Sequence, residues 1–97
     1  MQHSDHANFL DKRHLHEIGQ NVKAVRRSKG FTQEQMAERV DMDVRKVKRI
    51  ESGTSITLDN MLAICYGLDC TLSELFPREY RKYVSPFVRD LCSAVIS

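Results

Sequence analysis

Four basic side chains within one short segment are the residues of this sequence best suited to bind a partner. The segment covers residues 44–51, where Val47 and Ile50 have the three-residue spacing of one helix face. On a helix of about 100° per residue, Arg45 and Arg49 project almost opposite that face, one turn apart. A guanidinium group can bind O6 and N7 of guanine together in the major groove of DNA. The segment therefore predicts a helix that reads DNA bases through these two arginines.

The residues around the two arginines have supporting roles in the same predicted interface. Val44 is placed to pack on a thymine methyl group, and Lys46 and Lys48 are placed to meet phosphates. Asp43 is expected to act mainly as the N-cap of the helix, with a base contact as its less favoured role. The alternative for the whole group is a charged helix that binds another protein.

A second short helix must position this segment. Met36 and Val40 lie on one apolar face, and only three residues separate Val40 from Val44. Helices joined so tightly cross steeply, as in a helix-turn-helix. Thr32 is expected to cap this helix in a capping box with Gln35. Thr32 and the free backbone amides beside it are predicted to donate hydrogen bonds to a phosphate.

Three further helices are predicted around this pair. An apolar repeat from Leu15 predicts a long helix that ends at Gly30. Thr57 begins another helix that ends at Gly67, and a short last helix stops at Pro77. The apolar side of the helix after Thr57 is expected to contain Leu58, Met61, Leu62 and Cys65. The pattern predicts an all-α fold of five helices.

Length and composition fit one domain that needs no disulfide or metal. The chain has 97 residues and a net charge of only +2. The charge is uneven, because residues 23–49 contain nine lysines and arginines against four acidic residues. Such a local field suits a nucleic-acid partner. Three cysteines without a CxxC spacing, no signal peptide and no membrane-length apolar run predict a soluble cytoplasmic protein with reduced thiols.

No residue cluster in the sequence predicts catalysis or a bound cofactor. Histidines at positions 3, 6, 14 and 16 invite a metal hypothesis, but in a polar segment they are expected to be solvated, and we predict no metal site. No nucleophile elbow, metal motif or phosphate loop is present, so an enzyme is not expected.

The two ends of the chain differ from the central part. Residues 1–12 are predicted to be a polar arm, residues 13–77 the binding domain, and residues 78–97 a helical segment that begins afresh or kinks at Ser85-Pro86. Its apolar stripe either packs back on the domain or contacts a partner chain, and we predict a dimer contact. The dimerisation residues are then Tyr80, Tyr83, Val84, Phe87, Val88, Leu91 and Val95.

Residues from about Leu15 to Phe76 resemble the DNA-binding domain of the phage-repressor and Cro family, also called the Xre family. The resemblance is carried by three stretches: residues 29–33 (KGFTQ), residues 47–53, which end in IESG, and an apolar pattern from Leu58 to Phe76. It implies a repressor-like five-helix fold that binds the major groove. Such proteins usually have Gly where this chain has Asp41, a turn position that tends to need a left-handed backbone. Their phosphate contact from the loop after Gly53 is in question here, because this loop has few basic residues.

The resemblance also implies two further roles. In similar repressors, the glutamine equivalent to Gln33 touches a backbone phosphate. Arg26 and Glu51 match positions that form an internal ion pair, although Arg26 could equally contact a phosphate.

These observations favour a sequence-specific transcriptional regulator, with repression favoured over activation. It would act as a homodimer on a near-palindromic operator, in the cytoplasm of a prokaryote or from a phage genome. Two alternatives stay open: an antitoxin-like or adaptor protein whose tail binds a different protein, and a controller of a restriction-modification system.

Overall fold

The computed structural model describes residues 10–84, and this part of the chain is helical throughout, without a strand. Its elements are α1 (Lys12–Ser28), α2 (Gln33–Val40), α3 (Val44–Ser52), α4 (Leu58–Leu68), α5 (Leu72–Leu75) and a 3-10 helix (Arg78–Tyr83). The all-α prediction with five α-helices is confirmed. None of these helices has the length and apolar character needed to cross a membrane.

Local capping explains where α2 to α5 begin. The side chains of Thr32, Asp43, Thr57 and Thr71 each accept a backbone N–H from the first turn that follows. Thr32 also donates its own N–H to Gln35, so the predicted capping box is present, and Thr71 forms the equivalent box with Glu74. Each cap satisfies backbone donors that the helix itself leaves unpaired.

One apolar core holds the helices together. α3 packs against both α1 and α2, while α4 packs against α2 and α5. The buried apolar residues are Ile18, Val22, Val25, Met36, Ala37, Val40, Val47, Ile50, Met61, Ile64, Leu68 and Leu75. Because α1 and α2 bury the inner face of α3, the opposite face of α3 is left to solvent.

The first helix begins earlier than the apolar repeat predicts. Asp11 caps α1, which begins at Lys12, three residues before the first residue of the apolar repeat. His14 completes this capping box by accepting the Asp11 N–H on Nδ1, and its Nε2 lies 2.9 Å from Oε1 of Glu79. His14 is therefore buried rather than solvated as expected, whereas His16 is exposed. Residues 1–9 lie outside the described part.

The helix α4 departs from its prediction at two points. Gly67 does not end the helix, which continues to Leu68 and ends on Asp69 in a left-handed conformation (φ 55°). A Cβ on Gly67 would lie 2.6 Å from Cγ1 of Val40, so glycine is required by close packing and not by a cap. The buried face contains Met61, Ile64 and Leu68, and the expected Leu58 and Leu62 are more than half exposed.

The predicted tail begins as a 3-10 helix that is tied to α1. Glu17 accepts the Arg78 backbone N–H at 2.7 Å, and the Tyr80 ring lies 5.0 Å from the His14 ring. Tyr80 and Tyr83 line an apolar groove with Leu10 and Phe76. Val84 ends the described part, so the predicted dimerisation residues Phe87, Val88, Leu91 and Val95 lie outside it.

Candidate nucleic-acid interface

The connection between α2 and α3 is a tight turn with one left-handed residue. Asp41 has φ 56° and ψ 51°, the conformation expected for the position where similar proteins have glycine. The Met42 N–H donates to the carbonyl oxygen of Ala37 at 2.9 Å, which closes the end of α2. Since Asp43 caps α3 only two residues after Asp41, the chain changes direction sharply and α3 crosses α2.

The turn leaves one face of α3 free and strongly positive. Val47 and Ile50 are buried, and the four basic residues of the helix are all exposed. These residues are Arg45, Lys46, Lys48 and Arg49. Val44 packs in part against the core, which leaves less of its side chain for the predicted thymine contact.

Asp43 combines the capping role with a contact to Arg45. Its Oδ1 accepts the Arg45 backbone N–H at 2.8 Å and lies 3.3 Å from Arg45 Nε. The hydrogen bond from the Arg45 side chain holds the pKa of Asp43 below its ordinary value. Both side chains are exposed, 85% for Arg45, so this pair contributes little to stability.

A buried ion pair holds the end of α3 against α1. Arg26 donates to Glu51 from Nε at 2.7 Å and from Nη2 at 3.1 Å, while Nη1 donates to the Phe31 carbonyl oxygen at 2.8 Å. Both side chains are less than one-tenth exposed. Each nitrogen of the guanidinium thus donates a hydrogen bond, which is a condition under which a buried pair is tolerated. Arg26 is committed to a structural role in this arrangement and is not placed to contact phosphate.

Gln33 belongs to the same network. Its Nε2 donates to Glu51 Oε1 at 3.0 Å, so the first turn of α2 is tied to the last turn of α3. Gln33 is half-buried, and Thr32 beside it is exposed at the start of α2. The structure therefore places these two predicted phosphate-binding residues next to the Arg26–Glu51 ion pair at the end of α3.

Gly19 is a supporting residue that the sequence patterns did not identify. A Cβ there would lie 2.6 Å from the carbonyl oxygens of both Ile50 and Glu51. The absence of a side chain lets α1 reach the end of α3 closely enough for the ion pair. A glycine in the middle of a predicted helix was the available signal, because glycine weakens a helix unless close packing requires it.

A small polar groove extends the basic face towards α4. Its volume is about 190 Å³, and it is lined by Lys46, Arg49, Ile50, Thr54, Ser55, Ile56, Thr57 and Asn60. The Thr54 backbone N–H and hydroxyl both donate to the Arg49 carbonyl oxygen, at 3.2 and 2.9 Å. The loop after Gly53 is thereby held beside Arg49, although it brings no positive charge. Among residues 10–84, no group of three or more potential metal ligands comes together.

The solved structures similar to this chain include the two described below, and no curated protein matches the chain. The restriction-modification controller protein C.AhdI from Aeromonas hydrophila is 33% identical, with a TM-score of 0.62, over 64% of this chain and 96% of that one. A hypothetical transcription factor, NHTF from Neisseria, is 25% identical, with a TM-score of 0.61, over 76% of this chain and 88% of that one.

A family model described as helix-turn-helix matches residues 22–75, which is more than half of the chain. The matched residues include α2, the turn at Asp41 and the whole of α3. The chain therefore belongs to the Xre-like helix-turn-helix family of DNA-binding regulators.

Proposed function

We propose that this protein is a sequence-specific transcriptional repressor that binds a near-palindromic operator as a homodimer. The observation that carries the proposal is the exposed face of α3, where four basic side chains stand opposite the buried Val47 and Ile50. Arg45 and Arg49 read bases, while Lys46 and Lys48 meet phosphates on either side.

The remaining site residues support this helix on the DNA. Thr32 and Gln33 at the start of α2 bind phosphate, and Gln33 keeps its bond to Glu51 so that phosphate contact and helix orientation are linked. Val44 contacts a thymine methyl group with the exposed part of its side chain. Asp43 caps α3 and releases Arg45 when a base becomes available.

A dimer is proposed because one recognition helix covers only half of a typical operator. Two-fold symmetry presents two such helices to successive major grooves about 34 Å apart. The tail is one proposed source of dimer contact, through Tyr80, Tyr83 and Val84 in the described part and the apolar stripe after them. Repression follows from occupying a promoter.

Selection of bound duplexes from a random pool tests this proposal. We expect two inverted half-sites separated by about one helical turn, each containing guanines. Recovery of an ungapped, asymmetric site would contradict the homodimer, and failure to enrich any sequence would contradict specific recognition. Fluorescence anisotropy on the selected duplex and on a scrambled duplex would then measure the specificity ratio.

A restriction-modification controller is the second candidate. The similarity to C.AhdI favours it, because that controller protein is matched over 96% of its own length. Binding to a duplex taken from the region upstream of a neighbouring restriction or methyltransferase gene would support it. If the selected operator occurs only at unrelated promoters of the source genome, this candidate is excluded.

A further inference from the structure

The outer face of α4 is apolar where a monomer would be expected to be polar. Leu58, Leu62 and Tyr66 lie on successive turns and are 60%, 51% and 92% exposed. The inner face of the same helix is already buried through Met61, Ile64 and Leu68, so these three residues are additional to the core. We call this surface the α4 stripe. Contiguous apolar side chains of this kind mark an interaction surface more often than isolated ones do.

The charge of the α4 stripe favours a neutral partner over an acidic one. No lysine or arginine occurs between Ile50 and Pro77, and Asp59 is the single charged residue of α4 itself. Basic side chains reach α4 at its two ends, where Lys46 and Arg49 share a groove with Asn60 and where Arg39 donates to the Gly67 carbonyl oxygen. DNA, an anionic membrane or an acidic peptide would therefore find no positive group on the stripe itself. A second copy of the same neutral surface meets no like-charge repulsion apart from the two Asp59 carboxylates, which a two-fold axis can keep apart.

Leu62 and Tyr66 of the α4 stripe belong to a helix-pairing seam that also contains Asp59 and the partly buried Ala63, with Leu58 at its edge. At about 100° per residue, Asp59, Leu62, Ala63 and Tyr66 fall within one narrow stripe, at the i, i+3, i+4 and i+7 positions of a heptad. An antiparallel pair of such helices, centred between Leu62 and Ala63, places Asp59 opposite Tyr66 of the second copy. Each carboxylate then accepts a hydrogen bond from a phenol O–H, and the small Ala63 lets the helices approach.

We propose that the α4 stripe is the two-fold contact of the homodimer, formed by antiparallel packing of α4 on α4 of a second copy. This inference rests on the proposed homodimer and names the surface that forms it. Thr57 and Asn60, at the start of α4, line the same groove as Lys46 and Arg49. The contact therefore lies beside the basic face, so both recognition helices stand next to the axis.

Analytical ultracentrifugation of the full chain over a range of concentrations tests the surface directly. Leu62→Glu should raise the dimer dissociation constant by about 100-fold or more, because a buried leucine is lost and a charge is introduced on both sides of the axis. Ala24→Glu is the matched control, since it adds the same charge at an exposed position of α1 and should leave the dimer intact. Ala24→Glu should keep the thermal unfolding midpoint of the wild type, whereas Leu62→Glu should keep the helical circular dichroism spectrum but lose the part of the midpoint that dimerisation contributes.

A double-mutant cycle tests the proposed polar pair. Tyr66→Phe and Asp59→Ala should each weaken dimerisation about three- to tenfold, and the double variant should be no weaker than the more affected single variant. Additive effects would contradict the pairing of the two residues across the axis.

The remaining outcomes separate this inference from the proposed function. A Leu62→Glu protein that dimerises like the wild type overturns the α4 contact while the homodimer stands, and loss of the dimer on removing residues 85–97 alone would assign it to the tail instead. Equal weakening by Leu62→Glu and Ala24→Glu would show a general charge effect and also overturn it. A wild type that is monomeric at all concentrations, with or without DNA, contradicts the homodimer itself.

Discussion

α3 and α4 are consecutive helices of similar length, and their exposed faces have opposite chemistry. α3 carries four basic residues outward, whereas α4 carries leucine and tyrosine outward and has no basic residue. Both helices bury an apolar inner face, so the core alone does not distinguish them. The difference teaches that inner faces determine how the helices pack, while outer faces determine what each helix can bind.

The two helices also differ in how they are held. The end of α3 is fixed by a buried ion pair to Arg26 and by the close approach of Gly19. α4 is held mainly by apolar packing, with Gly67 against Val40 and one hydrogen bond from Arg39 Nε to the Gly67 carbonyl oxygen at 2.9 Å. Polar attachment specifies one orientation, because hydrogen bonds are directional. The proposed base-reading role of α3 would benefit from this directional support.

Removal of Glu51 is expected to have the largest effect on stability, because it releases the polar attachment that distinguishes α3 from α4. Glu51→Ala leaves the Arg26 guanidinium buried without its carboxylate, which should lower the free energy of unfolding by about 3–5 kcal/mol. Urea denaturation followed by circular dichroism measures the loss, with Glu38→Ala as the exposed control in α2. A loss below about 1 kcal/mol would show that the pair does not anchor α3.

The two packing glycines allow the close packing of α3 and of α4 to be compared by a smaller change in stability. Gly19→Ala and Gly67→Ala should each destabilise by about 1–3 kcal/mol, with Gly19→Ala the more costly. At Gly19 the added Cβ meets two carbonyl oxygens at 2.6 Å, whereas at Gly67 its nearest neighbour is a valine methyl group that can rotate. Urea denaturation again provides the measurement. A larger loss for Gly67→Ala than for Gly19→Ala would mean that α1 moves away from α3 more easily than the Val40 side chain changes its conformation.

The proposed base-reading residues of α3 should affect DNA binding without affecting the free energy of unfolding. Arg45→Ala or Arg49→Ala should each weaken operator binding by about 1–3 kcal/mol and relax the preference at one base pair. Arg78→Ala removes the same charge from the 3-10 helix and serves as the control. Anisotropy titrations on matched and single-substituted duplexes measure both quantities. Equal losses on operator and random DNA would refute base reading.

The phosphate contact of Lys48 gives the smallest expected effect. Lys48→Ala should weaken binding to operator and random duplexes alike, and should reduce the slope of log K against log salt by about 0.9. Lys82→Ala in the 3-10 helix is the control, with an unchanged slope. A loss confined to the operator would instead indicate that Lys48 reads a base.

Local features of the sequence determined where α2 to α5 begin and which face of α3 is outward. Caps such as Thr32 and Thr57 act within one helical turn, and the three-residue spacing of Val47 and Ile50 is equally local, so both features can be predicted without the tertiary structure. Asp41 was identified as the left-handed turn position through the family resemblance, because similar proteins usually have glycine there.

Only the tertiary structure decided the outer face of α4, the burial of His14 and the reasons for Gly19 and Gly67. The pattern after Thr57 offers leucines on more than one side of α4, and contacts with α2 and α5 select which of them are buried. His14 is buried because Glu79 and Tyr80, far along the chain, come to lie against it. Periodicity reports the number of apolar faces on a helix, but which neighbour covers each face depends on contacts between residues distant in sequence.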